Sequence, residues 1–398
     1  MRGVCACLLF TTAVVYGQVQ NQPREEHNRP FYKLFAAIEP EQIEKRLNKY
    51  AAEGYRLSAI AGGGEDTTLV IMSAILPEAL TFKYKVIRSS LLTLNPRLKP
   101  KETSILDLMN AAGAEGYRLV TDSVVEYVPP LMPNYAQDFK HNYVPRGFSV
   151  IMERKSDESG RYEYFIFAPW QLSKPSFEDL TENYQKAQQD GFSTVYFGGE
   201  TVFPYVLISQ RDVTQQSPER TEVPKDHFSV VQFKELIPQI QKEAEAGYAV
   251  RVSTVFRKEP GQLNPGAGPI TLNLWSQKAS DGPLKLVLFD GKIPYDFESF
   301  RSFMSEFQSK LNSSADGLCV AGVIVGFAQV PTFFHSNNVA TMGIATKPCP
   351  AGGKVVFRYA LGATAPDLAE NINQLATEGY SLVPGAFDTS SALMEKVN

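Results

Sequence analysis

The sequence predicts an α+β protein of six tandem β-α-β-β units, each a three-stranded, mostly antiparallel sheet with one covering helix. Three observations carry that prediction. The heptapeptide AAEGYRL at Ala51 to Leu57 returns almost unchanged as GAEGYRL at Gly113 to Leu119. Looser copies follow: AQQDGFSTV from Ala187, AEAGYAV from Ala244, SADGLCV from Ser314 and ATEGYSLV from Ala376. Each copy is preceded by apolar residues at helical spacing and, before those, by a short apolar run, so the repeating object is a supersecondary unit.

The elements follow in order within each unit. The first strands are FYKLFAAI, FKYKVIRSS, YEYFIFAPW, FSVVQF, LKLVLF and VVFRYAL, rich in aromatic and β-branched residues. The helix of unit 1 places Ile43, Leu47, Tyr50 and Ala51 on one face, and unit 6 places Leu368, Ile372, Leu375 and Ala376 at the same offsets from its glycine. Ile105, Met109 and Ala112 repeat the scheme in unit 2, Leu180, Tyr184 and Ala187 in unit 3, and Leu236, Ile240 and Ala244 in unit 4. Unit 5 departs from it, with Phe300, Phe303, Phe307 and Leu311 as the face and NSSAD inserted before Gly317.

The glycine ends each helix in the left-handed conformation, where a Cβ is costly. The aromatic beside it (Tyr55, Tyr117, Phe192, Tyr248, Tyr380) folds back on the last turn and opens a strand. Two strands complete the unit, as in YRLSAIA and TTLVIMSA around GGGED. Such a sheet is marginal alone, so neighbouring units are expected to pair or stack. The units run 30–77, 81–155, 161–212, 226–279, 283–347 and 353–398, and a linker at 213–225 divides them into two sets of three.

The junctions resemble those of a small bacterial domain of unknown function, whose members are single β-α-β-β modules with an AEGW or AEGY helix-to-strand turn. The likeness is best in units 1, 2 and 6, weaker in 3 and 4 and poor in 5. It implies the fold and carries no catalytic residue.

Composition narrows the function classes. A net charge of −4 over 398 residues, with both signs interspersed, offers no basic stripe for a nucleic acid. Met1-Arg2, an apolar run from Val4 to Tyr16 and a polar stretch after it read as a signal peptide over 1–17, cut near Gly17, with a retained N-terminal anchor as the alternative. No later run is long enough to span a bilayer. The expected location is therefore secreted or periplasmic. That compartment suits a disulfide between Cys319 and Cys349, which equal counting outward from VPTFFHSN places opposite each other; two unpaired thiols are the alternative.

Chemistry-bearing motifs are absent. His27, His141, His227 and His335 show no metal-ligand spacing, and there is no C-x-x-C, H-E-x-x-H, phosphate loop or nucleophile elbow, so no cofactor and no dedicated metal are expected. Two patterns remain as candidate sites. The residue before the glycine is acidic in five of six units, Glu53, Glu115, Asp190, Asp316 and Glu378, against the helix dipole. These carboxylates form a rim for a cation such as calcium or a basic partner, or else make only local hydrogen bonds. The loops joining the last two strands are long in units 2, 4 and 5 and carry Tyr135, Phe139, Tyr143, Phe333 and Phe334 as binding anchors, or as seals between units. The function expected from this pattern is a non-catalytic scaffold binding a protein or surface polymer. The alternative is a hydrolase whose pocket forms between units.

Overall fold

The structure is a computed structural model that describes residues 30–37, 39–62, 68–74, 81–89, 105–127, 147–167, 177–198, 206–214, 226–232, 235–256, 271–292, 296–314, 318–331, 336–349, 355–387 and 390–397. The chain divides into residues 1–30 and a compact unit Phe31–Asn398. The signal-peptide segment and most of 213–225 lie outside the described residues.

Module 1 consists of β1 (Tyr32–Ala37), α1 (Pro40–Ala52), β2 (Tyr55–Gly62) and β3 (Thr68–Ala74). Module 2 has β4 (Phe82–Ser89), α2 (Ile105–Ala114), β5 (Arg118–Tyr127) and β6 (Gly147–Lys155), and module 3 has β7 (Tyr162–Phe167), α3 (Phe177–Gln189), β8 (Ser193–Gly198) and β9 (Val206–Asp212). Module 4 is β10 (Asp226–Gln232), α4 (Leu236–Glu245), β11 (Tyr248–Phe256) and β12 (Thr271–Lys278). Module 5 is β13 (Lys285–Lys292), α5 (Phe297–Ser314), β14 (Leu318–Pro331) and β15 (Ser336–Pro348). Module 6 is β16 (Val355–Leu361), α6 (Ala365–Thr377), β17 (Ser381–Phe387) and β18 (Ser391–Val397). The fold is thus α+β, six helices and six three-stranded antiparallel sheets among the described residues, with the third strand of every module in the middle of its sheet.

The junction glycines behave as their position demands. Gly54, Gly116, Gly191, Gly247 and Gly379 have φ between 82° and 92°. Beyond each junction the register repeats: Leu57 pairs with Met72, Leu119 with Met152 and Leu382 with Met394. Immediately after that pair the second strand slips by a bulge, and the slip recurs after Thr194, Val250 and Val320 in modules 3, 4 and 5. A bulge leaves its backbone without a ladder partner on the local stretch. The amides so exposed become the points at which one module holds the next.

The central strand of each sheet is buried on both faces, which a free-standing β-α-β-β unit could not achieve. In β3, Val70 and Met72 pack with Ile43 and Leu47 of α1, while Leu69 and Ile71 pack with Leu368 and Ile372 of α6. Each helix is therefore clamped between its own sheet and the sheet of the next module. The same arrangement joins α1 to Ile151, α2 to Ile208, α3 to Trp275, α4 to Ala345 and α5 to Leu393. Burying a large apolar side chain is worth about 1.5–3 kcal/mol, so each neighbour supplies what the isolated sheet lacks. Because α3 packs on module 4 as the other helices pack on their successors, the packing does not separate modules 1–3 from modules 4–6.

The last module meets the first, and a head-to-tail contact that repeats and closes on itself is a rotation. Asparagines make this concrete. Asn48 of α1 donates from Nδ2 to the carbonyl of Tyr84 and accepts its N–H, both at 2.9 Å, satisfying the edge of β4. Asn312 treats Phe357 in the same way, and Asn373 accepts from the N–H of Tyr32 at 2.9 Å and donates to its carbonyl at 3.0 Å across 341 residues of sequence. Asn110 accepts from the N–H of Tyr164. There the approach is close: a Cβ on Gly113 would lie 2.1 Å from the carbonyl oxygen of Tyr162. This explains why the second heptapeptide begins with glycine where the first has Ala51.

Candidate functional site

Two carboxylates of the rim, Glu115 and Glu378, are paired with bases. Lys85 Nζ donates to Glu115 Oε2 at 2.7 Å, and Arg358 donates to Glu378 Oε2 at 2.6 Å. Each base comes from the first strand of the same module. The backbone carbonyl of the same acidic position is also taken: Arg154 donates to that of Glu115, Arg211 to Asp190 and Lys396 to Glu378, at 2.7–2.9 Å. In module 4, where alanine replaces the acid, Lys278 still donates to the carbonyl of Ala246 at 2.6 Å. The purpose common to all four is to neutralise the negative end of the helix. Glu53 sits at the same helix end and is exposed, and Asp316 lies outside the described residues. Among the described residues no group of three or more His, Cys, Asp or Glu side chains is placed to hold a metal ion.

The junction aromatic completes this clasp. Arg154 lies over the Tyr117 ring at 5.1 Å, Arg211 over Phe192 at 4.5 Å, Lys278 over Tyr248 at 4.8 Å and Lys396 over Tyr380 at 5.9 Å. Each cation–π contact is worth about 0.5–1 kcal/mol at such exposed sites. Module 1 has Ala74 at the end of its last strand, and Lys33 of β1 lies over Tyr55 instead.

The seams between modules hold the more deeply buried polar groups. The bulge amide of Leu57 donates to the hydroxyl of Tyr84, that of Leu119 to Tyr164 and that of Leu382 to Tyr32, at 2.9–3.0 Å. Burial raises the phenol pKa of all three tyrosines and keeps them neutral. At the seam of modules 1 and 2, Glu153 is 1% exposed and accepts from Arg56 Nη2 at 2.5 Å and from Arg118 Nη2 at 3.2 Å. One arginine belongs to each module, so the carboxylate ties two sheets.

Module 4 breaks the repeat, both where it meets module 3 and on its own helix. Asp226 stands where the equivalent first-strand residues are Tyr32, Tyr84 and Tyr164, and Glu243 stands on the helix where Tyr50, Ala112, Ala187 and Leu375 are apolar. Asp226 accepts from Tyr184 Oη at 2.6 Å and from Trp275 Nε1 at 2.9 Å. Burial pushes its carboxyl pKa up, against those hydrogen bonds. His227 pairs with Glu243 at 2.9 Å and meets Tyr248 edge-on, with ring centroids 4.7 Å apart. The hydrogen bond to Glu243 raises the imidazole pKa. Burial works against the charge of Glu243, yet the bonds from His227 and Gln239 hold its pKa below the usual range. This is the densest set of perturbed titratable groups among the described residues. Sequence reading passed over Asp226 and Glu243; Glu243 breaks the pattern at a fixed offset from the glycine, whereas the place of Asp226 is fixed by strand register.

Cys319 and Cys349 are bonded, with Cα atoms 5.0 Å apart. They are not directly opposite each other: Cys319 pairs in register with Lys347, two residues short of Cys349, since equal counting reaches Pro348 and the bulge between Val320 and Gly322 shifts the pairing by one more. The loop aromatics Tyr135, Phe139, Tyr143, Phe333 and Phe334 lie outside the described residues, as do His27, His141 and His335. No helix among the described residues is long and apolar enough to cross a membrane. Comparison of the chain with family models, curated proteins and solved structures finds no match.

Proposed function

We propose that the protein is an exported, non-catalytic scaffold that recognises a protein or a surface polymer through the loops joining the second and third strands of its modules. The reading rests on one observation: the six modules close into a cyclic series, so the strand ends that launch these loops are related by rotation about one axis. Tyr127 and Gly147, Phe256 and Thr271, and Pro331 and Ser336 are such ends, and they flank the longest loops. A rotation carries equivalent points to one end of its axis, which gives several loops a common side from which to engage a large partner. The likeness to single bacterial β-α-β-β modules agrees with this, since a duplicated module supplies the frame and its loops supply the diversity.

The buried polar groups serve this frame. Glu153, Asp226, Glu243 and the seam tyrosines each have their oxygen atoms engaged in bonds that join strands, helices or modules. Among the described residues, Asp226 and His227 are the groups on which a hydrolase would draw first. The test separates the two readings: the full chain is screened against panels of purified surface polysaccharides and exported proteins, with Tyr135, Phe139 and Tyr143 replaced by alanine in one variant and Phe333 and Phe334 in another. Loss of binding with unchanged melting supports the scaffold. Turnover of ester, amide or glycoside substrates that disappears in Asp226→Asn or His227→Gln while the fold persists would falsify it.

A further inference from the structure

We infer that the Cys319–Cys349 bond is a redox latch on the seam between modules 5 and 6, which a dithiol reductant opens while the other seams stay closed. The first ground is substitution within the repeat. In module 4 the junction aromatic Tyr248 pairs in register with Lys278, the base of the clasp; in module 5 the same register position opposite Leu318 is Pro348. Neither partner of the last-strand clasp is present there, and the disulfide joins the very next residue on each strand. A covalent bond stands where the other modules use a cation over a ring.

The second ground is the seam itself. Cys319 follows the junction position as Arg56 and Arg118 do, and Glu395 occupies in β18 the place that Glu153 occupies in β6. At the first seam two arginines hold the carboxylate. At the seam of modules 5 and 6 those places are taken by Cys319 and Ser381, and Glu395 receives the N–H of Val320, the residue after Cys319. Its Oε2 is buried with no hydrogen-bond partner among the described residues. Whatever holds Val320 in place therefore supports this bond across the seam, beside the apolar cluster and the bonds from Asn312 to Phe357. Cys349 at the other end of the bond belongs to the apolar cluster shared by α5 and by Val355, Phe357 and Leu393 of module 6.

The exchange balances without another reactant. Cys349 is 8% exposed and Cys319 is more open, so a thiolate of the dithiol attacks Cys319 Sγ, forming a mixed disulfide and releasing Cys349 as a thiolate. The second thiol of the reductant then displaces Cys319. The reductant leaves as its own disulfide, and two electrons and two protons have passed to the cysteines. With the tether gone, the start of β14 keeps, among the described residues, its ladder, its apolar packing, the bond from Val320 to Glu395 and the nearby bond from Lys285 to the carbonyl of Ser314.

Hydrogen exchange of the full chain, followed by mass spectrometry with and without dithiothreitol, tests the latch. Reduction should accelerate exchange roughly tenfold or more in peptides covering 318–331, 336–349 and 391–397, and by less than about twofold in modules 2 and 3. Uniform acceleration in all six modules, or none anywhere, overturns the proposal. A Cys319→Ser, Cys349→Ser variant should show the reduced pattern without reductant. Adding Leu318→Tyr and Pro348→Lys, which rebuild the module 4 clasp, should slow exchange again; if it does not, the substitution argument is wrong. Should the serine variant fail to fold, the wild-type comparison still decides.

Discussion

The seams between modules 1 and 2 and between modules 5 and 6 answer the same problem with different chemistry. Both bury a carboxyl of the central strand against the bulge of the preceding module. The first surrounds Glu153 with Arg56 and Arg118, while the second leaves Glu395 with a backbone N–H and ties its neighbourhood through Cys319–Cys349. The repeat therefore conserves positions and bulges more strictly than it conserves interactions. What a seam requires is a donor at the bulge and a clamp beside it, and charge or a covalent bond can provide the clamp.

The comparison breaks most visibly if the charge clamp is removed. Replacing Arg56 and Arg118 together by methionine leaves Glu153 buried without its cations, at a cost of about 3–5 kcal/mol in chemical denaturation. Methionine at all three positions should recover most of that loss. A cost below about 1 kcal/mol for the double variant would mean that the ion pair is ornamental. Next in size, Asn373→Ala removes both bonds to Tyr32 and leaves a half-buried edge amide and carbonyl, costing about 1–3 kcal/mol and hastening proteolysis at β1. Asn48→Ala should cost a similar amount, since it makes the same pair of bonds at an ordinary seam.

The His227–Glu243 pair inside module 4 adds a pH dependence of its own. His227 has a raised pKa, so its contribution is complete below its ordinary value of 6.5 and is lost as pH rises through the higher folded value. Glu243 has a lowered pKa, so its contribution is complete above 4.5 and is lost as pH falls through the lower folded value. Stability from the pair is therefore greatest between those two ordinary values. Because the His227 side chain is 41% exposed, the effect should be about 0.5 kcal/mol. Denaturation midpoints of wild type and His227→Gln across pH 5–9 check it, and His227→Gln should flatten the profile above neutrality. A comparably small effect is expected of Glu378→Gln, since its exposed pair with Arg358 is worth at most about 1 kcal/mol. A larger loss there would restore a special role to the junction acids.

Much of this architecture was legible because local physics writes it locally. Gly54 needs its positive φ, Tyr55 needs its strand, and Ile43, Leu47 and Ala51 share a face, so the unit and its six repetitions follow from spacing alone. Closure was not legible, because it depends on Asn373 meeting Tyr32 across the length of the chain. The two-sided burial of strands such as β3 was hidden for the same reason: alternation cannot say what covers the second face. The cysteine register failed by two residues, one in the counting itself and one that the bulge between Val320 and Gly322 absorbs. The sequence left Glu115 and Glu378 open between ligand and local bonding because their partners, Lys85 and Arg358, are brought beside them only by the fold. Asp226 and Glu243 were visible as departures from the repeat, yet unit-by-unit alignment of polar positions was needed to see them.

Closure of the six modules carries the account, and a distance measurement tests it most directly. With Cys5 and Cys7 changed to serine, spin labels at Lys45 and Asp107 report a neighbouring pair of helices, and labels at Glu370 and Lys45 report the last helix and the first. All three positions are exposed and lie at the same offset from their glycines. The closed series predicts that electron–electron double resonance gives the two pairs the same distance distribution. A clearly longer distance for Glu370 and Lys45 would contradict it and leave the modules as an open row.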